Sequence, residues 1–239
     1  MKQTFYITLA AAVIAISALS SCNMSCKNGS GTMATDTRKV DDFTKIEVSG
    51  GCKVTLKQDS SLSVTLTTDD NLLGDIKTSV SGGTLKIKPE ENICTEGNIN
   101  IVIGVRNLEK IEGTGAVEFI SDGKLIAQNF DISLSGAGKV NLDLNAAKVH
   151  TEANGATEIA LRGQATSHDI EISGTGKIDA LDFVVSNYNI ETSGAGESKI
   201  NVLKSLIVKT SGASSIQYRG NPTTIKNNES GASSVKKID

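Results

Sequence analysis

The residues of this chain whose types could carry chemistry are two histidines, three evenly placed glutamates and four cysteines. His150 and His168 stand 18 residues apart, each beside a carboxylate, as His150-x-Glu152 and His168-Asp169. Such a set could ligate a metal or work as an acid–base pair. The spacing argues against it. His150 lies five residues before Gly155 and His168 six before Gly174, a one-residue difference in register that turns two strand side chains to opposite faces. Glu152, Glu171 and Glu191 each fall three residues before a glycine (Gly155, Gly174, Gly194) and so form a column. Three stacked carboxylates could hold a cation or simply be screened by water. Screening is the simpler reading, because Ser133 and Lys209 interrupt the column on either side and Lys139 and Lys177 are nearby counter-charges. No G-x-S-x-G, H-E-x-x-H or Walker pattern occurs, so no catalytic residue, metal or cofactor is expected.

The elements that must position these residues are announced by a glycine phrase written seven times, with leading residues Gly113, Gly136, Gly155, Gly174, Gly194, Gly212 and Gly231. The successive separations are 23, 19, 19, 20, 18 and 19 residues. A near-fixed period of this size predicts one supersecondary unit stacked on the next. The unit is β: from Phe130 to Leu144 every even position is apolar or glycine, the odd positions are polar or small, and that alternation sends one set inward. A 19-residue strand would be about 60 Å long if straight, so each unit must wind back as a coil of short strands. The expected fold is therefore all-β, a single-stranded parallel β-helix or β-solenoid with coils of about 19 residues, right-handed by the usual crossover rule.

Glycine at a coil corner supplies positive φ or close backbone approach. The columns flanking it are small, with Ser135, Ser173, Ser193 and Ser211 before it and mostly alanine after it. Their structural role is to let coils sit flush. Their functional alternative is a flat binding face, made of these serines together with Glu152, Glu171 and Glu191. A regular threonine ladder of the ice-binding kind is absent from these columns.

Residues 1–21 read as a targeting segment, with Lys2 followed by the apolar stretch Phe5–Leu19. Leu19-Ser-Ser-Cys22 resembles a bacterial lipobox, which makes Cys22 the expected site of lipidation and the membrane a partner through that anchor. Residues 22–38, rich in Gly, Ser, Thr and Asn, read as a flexible tether. The remainder, 39–239, is expected to be one body: a less regular part over 39–107, regular coils over 108–222, and a polar C-terminal cap over 223–239. If Cys22 is lipidated, Cys26, Cys52 and Cys94 remain, an odd number. A Cys52–Cys94 disulfide is permitted outside the cytoplasm, the alternative being a buried free Cys52.

Without residues 1–21 the chain holds 23 basic against 27 acidic residues, a formal charge of −4 with neither sign clustered. A nucleic-acid partner, which needs a basic face with aromatics, is excluded on this pattern. The lack of tryptophan and an aromatic content of 3% weaken any sugar-processing role.

The N-terminal sequence Val40-Asp-Asp-Phe-Thr-Lys-Ile-Glu-Val-Ser-Gly-Gly-Cys-Lys-Val-Thr-Leu56, then Ser63-Val-Thr-Leu66, Asp70-Asn-Leu-Leu73 and Ser81-Gly-Gly-Thr-Leu-Lys-Ile87 lead into Gly136-Ala-Gly-Lys-Val-Asn141, Gly174-Thr-Gly-Lys-Ile-Asp179 and Ser198-Lys-Ile-Asn201. In this order they resemble the auto-transporter adhesin head domain called the GIN domain, found in exported proteins of the Bacteroidetes, over roughly residues 40 to 216. The resemblance implies a pectate-lyase-like parallel β-helix without the lyases' catalytic residues, and a role in adhesion. It carries no ligand residue to this chain. The functional expectation is a non-enzymatic envelope lipoprotein, of the outer membrane, that binds a glycan or a surface protein. The alternatives are a structural envelope protein and a carbohydrate-active enzyme on the same scaffold.

Overall fold

Tight turns and short apolar alternations shape the first eighty of the residues that the computed structural model describes, 26–239. β1 (Lys27–Asn28) and β2 (Met33–Lys39) precede a long β3 (Lys45–Gln58). Then come β4 (Ser63–Asp69), a 3-10 turn at Asp70–Leu72, β5 (Ile76–Ser81), β6 (Thr84–Pro89), β7 (Ile93–Cys94) and β8 (Asn100–Val105). Along one edge β3 serves two neighbours, pairing in parallel with β6 through Lys45–Val48 and with β8 through Lys53–Gln58. β5 runs antiparallel to β6, and β4 lies antiparallel between β2 and β8. The sheet is therefore mixed here, which corrects the expected single-stranded parallel β-helix over the part, 39–107, that the sequence marks as less regular. The cause is connection length: Gly82–Gly83 is a two-residue link, which can join antiparallel strands, whereas a parallel pair needs a crossover of a dozen or more residues.

A second correction concerns residues 26–38, expected to be part of a flexible tether. β1 pairs with β7 and all seven residues of β2 pair with β4. Composition misled because the apolar half of the β2 pattern is missing: the strand Met-Ala-Thr-Asp-Thr-Arg-Lys is held by hydrogen bonds rather than by a hydrophobic row. Arg38 supplies the strongest of them. It donates to the carbonyls of Leu73 and Ile76 at 2.8 and 2.5 Å and to Thr78 Oγ1 at 2.8 Å, tying the outer strand of one branch of the sheet to β5, the outer strand of the other.

From Lys110 onward strict alternation takes over, in β9 (Lys110–Gly136), β10 (Lys139–Arg219), β11 (Thr224–Gly231) and β12 (Ser234–Lys237). The 81 residues of β10 would reach about 270 Å if straight, so the strand bends repeatedly. Pairing is parallel throughout this part. β9 lies on β3 with Ile111 opposite Ile46, β10 on β9 with Val149 opposite Phe130, and β11 on β10 with Ile225 opposite Leu206. The inward row of Phe130, Ile132, Leu134, Val140, Leu142 and Leu144 is buried, as are Ile170, Ile178, Phe183, Ile190 and Ile200 above it.

The corner glycines set the register. Gly155 has φ +111°, and a Cβ added there would stand 2.4 Å from the carbonyl oxygen of Gly136; at Gly174, with φ +114°, it would stand 2.6 Å from the oxygen of Gly155. Each corner thus sits flush on the one before, at a distance no side chain permits. The column begins one repeat earlier than the sequence phrase suggests and with a different residue. Gly115, not Gly113, is the corner, stacked on Gly50, while Gly113 faces inward against Phe119 and Leu134. The first separation is therefore 21 residues, Gly115 to Gly136, rather than 23.

Candidate functional site

The most heavily cross-linked segment of the described residues is their N-terminal end. Cys26 is disulfide-bonded to Cys94, with Cα atoms 5.6 Å apart, and Cys52 is the free cysteine. The expected Cys52–Cys94 pair is thus corrected: β1 runs beside β7, so it is Cys26 that meets Cys94. The odd cysteine count holds the signal, which the tether-like composition of residues 22–38 hides. Around the disulfide, Lys27 Nζ pairs with Asp75 at 2.6 Å and the Gly31 N–H donates to Asp69 Oδ1 at 2.8 Å. Thr95 Oγ1 donates to Asp69 Oδ2 at 2.5 Å, and Asn71 Nδ2 to the Asn28 carbonyl at 2.9 Å. Asp69 itself is buried, only 3% exposed, and acts as the pin of this strap.

Between the strap and the Ser49–Lys53 corner of β3 lies a groove of about 1410 Å³. Cys52, Ile99 and Val117 belong to its floor, Ala116 and Ala137 continue it onto the first corners of the stack, and Lys53, Lys88 and Lys139 stand at it with Glu91, Glu96 and Glu118. Lys53 pairs with Glu118 at 3.6 Å. Burial pushes the Cys52 thiol up to about 12, so it stays protonated at neutral pH and behaves as a small apolar group. Nothing in the sequence marks this groove, because its walls come from segments up to 113 residues apart, Cys26 to Lys139.

The expected binding-face residues are on the outside of the stack. Ser135, Ser173, Ser193, Ser211, Glu152, Glu171 and Glu191 are all exposed. The column grows at its lower end, since Glu47 lies opposite Glu112 and Lys86 caps Glu47 at 2.5 Å. At its upper end Lys209 pairs with Glu191 at 3.5 Å, so it neutralises the column rather than merely interrupting it. Lys139 and Lys177 turn elsewhere: both pair with Glu158, at 3.5 and 3.7 Å. Among the described residues no group of three or more His, Cys, Asp or Glu is arranged to hold a metal ion.

The two histidines are separated as their registers require. His150 is half-exposed, opposite Asp131, whereas His168 is fully buried. His168 Nε2 shares a hydrogen bond of 2.9 Å with Thr151 Oγ1, and its ring packs edge-on to Phe183 and tilted against Tyr188, with centroids 5.8 and 5.3 Å away. Its Nδ1 and the Tyr188 hydroxyl find no protein partner. Burial, helped by nearby His150, lowers the His168 pKa to about 3, and burial pushes the Tyr188 hydroxyl above its ordinary range. A neutral imidazole enclosed by aromatic rings fills the interior. Cys22 lies outside the described residues, and no helix among them is long and apolar enough to cross a membrane.

A cross-linked mixed sheet leading into glycine-stacked parallel strands, with its charges spread over the outside, defines an all-β scaffold of the kind that displays a surface. The chain belongs to the family described as putative auto-transporter adhesin, head GIN domain, which it matches over residues 42–222. Among solved structures it is similar to a putative adhesin from Bacteroides fragilis, at 23% identity and TM-score 0.84, over 89% of this chain and 100% of that one. It is also similar to a protein from Parabacteroides distasonis described as a putative lipid binding protein, at 20% identity and TM-score 0.67, over 90% and 100% of the two chains. A putative adhesin from Parabacteroides merdae follows at 18% and 0.60, over 89% and 99%. At these identities the likeness concerns the fold. No curated protein matches the chain.

Proposed function

We propose that this chain is a non-enzymatic adhesion or binding head, exported and held on the outer membrane through lipidated Cys22, which presents the outer face of a right-handed parallel β-helix to a glycan or surface protein. The observation that carries this reading is the exposed, in-register column of Ser135, Ser173, Ser193 and Ser211 with its glutamate neighbours, which runs up a stack whose other end is pinned next to the anchor. Its coils rise about 4.8 Å each, so Ala213 stands about 24 Å above Ala116. Family membership supports the adhesive role, and the disulfide supports export. In this reading residues 26–107 form the base of the domain, 108–222 the coils, and 223–239 the terminal coil; Asn227, Asn228 and Glu229 there are exposed.

Retention on glycan and matrix-protein arrays tests the face. Ser173→Arg and Ser193→Arg place bulky cations at exposed positions and should abolish retention while leaving the melting temperature unchanged. Retention that both variants keep would sink the proposed face, and cleavage of an acidic polysaccharide by the wild type would replace it with an enzyme. Labelling with a palmitate analogue should be lost in Cys22→Ala; equal labelling would remove the anchor.

A further inference from the structure

The lipid anchor and the groove are separated by almost no chain. Cys22 and Cys26 have three residues between them, so four Cα steps span at most about 14 Å. No slack is added beyond Cys26. That residue is bonded to Cys94, and the next five are fixed by the β1–β7 pair, the Lys27–Asp75 ion pair and the bonds to Asp69, Asp70 and Asn71. Cys26, Asn28 and Gly29 are themselves part of the groove wall. A domain anchored at Cys22 therefore sits on the bilayer with this end down, and the groove is within reach of the lipid surface.

The lining suits what is found there. Cys52, Ile99, Val117, Ala116 and Ala137 give the groove an interior of small and apolar groups, while its rim carries both signs, Lys53, Lys88 and Lys139 with Glu91, Glu96 and Glu118, as the zwitterionic head of a phospholipid requires. Its volume of about 1410 Å³ exceeds the 300–1,000 Å³ of ordinary small-molecule pockets and leaves room for a long chain. A glycan is the poorer match, since neither tryptophan nor any other aromatic side chain lines the groove.

We propose that the groove between the Cys26–Cys94 strap and the Gly50–Lys53 corner is a membrane-facing seat for an acyl chain of a phospholipid from the anchoring bilayer. The proposal rests on the lipid-anchor part of the reading above, and it adds a second site, at the base of the stack beside the lower end of the serine column.

The test uses the full, lipidated chain reconstituted in vesicles of phosphatidylethanolamine and phosphatidylglycerol. The chain has no tryptophan, so a single introduced one reports without background. Ala116→Trp places the reporter in the groove and Ala213→Trp places it far up the stack; both positions are exposed. With phospholipids brominated at mid-chain, the Ala116→Trp protein should lose most of its fluorescence and the Ala213→Trp protein none. Adding Gly51→Phe should restore the signal, because Gly51 lines the groove at an ordinary φ and an added Cβ there meets nothing within 4 Å, so the ring fills the groove without disturbing the fold. Equal quenching at the two positions, no quenching at Ala116→Trp, or quenching by headgroup-labelled lipid alone would overturn the proposal. So would a glycan or peptide that protects the reporter where lipid does not. An intact mass reads the anchor separately: acylated protein with an unquenched reporter removes the groove proposal alone, whereas a mass without acyl groups removes the anchor and what rests on it.

Discussion

Residues 26–108 and residues 110–239 solve the same problem, how to end and cover a β-sheet, by opposite means. The first part uses individual bonds: a disulfide, the Arg38 fork, the buried Asp69 pin and a core that includes Phe43, Leu56, Leu66, Leu72 and Leu85. The second uses repetition, one glycine corner on another and one apolar row on another. Individual bonds can be placed unevenly and leave a groove between them. Repetition cannot, since each parallel strand must match the next, and it leaves charged and small side chains along the outside. The difference between the two surfaces proposed for binding follows from the difference in how each part is held.

The strongest way to break the comparison is to put a charge in the repeated interior. Ile172 is 6% exposed and belongs to the inward row. Ile172→Asp should cost about 5 kcal/mol, enough to unfold the stack, as urea denaturation followed by circular dichroism would show. A loss below about 1 kcal/mol would mean the coils tolerate water inside.

The equivalent blow to the N-terminal part is Cys94→Ser. The disulfide closes a sequence separation of 68 residues, for which chain entropy predicts a loss of about 4 kcal/mol. Hydrogen exchange should show the loss over 26–108 with the protection of coils beyond Gly155 unchanged. Uniform loss of protection would show that the two parts unfold as one.

Glycine substitutions sharpen the contrast further. Gly174→Ala brings a Cβ against the Gly155 backbone at positive φ and should cost about 3 kcal/mol. Gly82→Ala, in the β5–β6 turn, also has positive φ, of +57°, but meets nothing within 4 Å and should cost only about 1 kcal/mol. Equal thermal shifts for the two would refute the stacking argument.

How much of this was legible in the sequence divides along the same line. The repeat wrote its own structure: alternation marks Ile132, Leu134, Leu142 and Leu144 as inward, and all four are buried. Two readings there fail: Lys139 and Lys177 pair with Glu158 rather than with the glutamate column, and Gly113 stands for Gly115 because the phrase Glu-Gly-Thr-Gly carries two glycines that only pairing with Gly50 distinguishes. The N-terminal part has no period. Only the β5–β6 hairpin is written locally, in Gly82–Gly83; the β2–β4 and β4–β8 pairs, the Cys26–Cys94 bond and the groove depend on contacts between distant segments that no local pattern encodes. Glu152, Glu171 and Glu191 are readable as an exposed column, and spacing alone names no ligand for them.

His168 offers a gentler probe of the stack alone. Its folded pKa of about 3 lies below the ordinary value of 6.5, so the unfolded chain takes up a proton that the folded one refuses. Stability is full above pH 6.5 and falls as the pH drops toward 3, by about 1.4 kcal/mol per unit. His168→Leu should flatten that slope for coils around Thr151 and Tyr188; an unchanged slope would assign the acid sensitivity to carboxylates instead.

The smallest expected effect tests whether the outside of the stack is as indifferent as its geometry implies. Glu171 is exposed and lies in the column between Glu152 and Glu191. Like charges one coil apart repel weakly through water, and an exposed ion pair contributes at most a few tenths to about 1 kcal/mol. Glu171→Lys converts two repulsions into two attractions, so it should be neutral or stabilising by up to about 0.5 kcal/mol. The gain should vanish at high salt, where the screening length falls to about 3 Å. Destabilisation beyond about 1 kcal/mol would show that the carboxylate column is part of the fold, and the serines beside it could then no longer be read as a face left open for a partner.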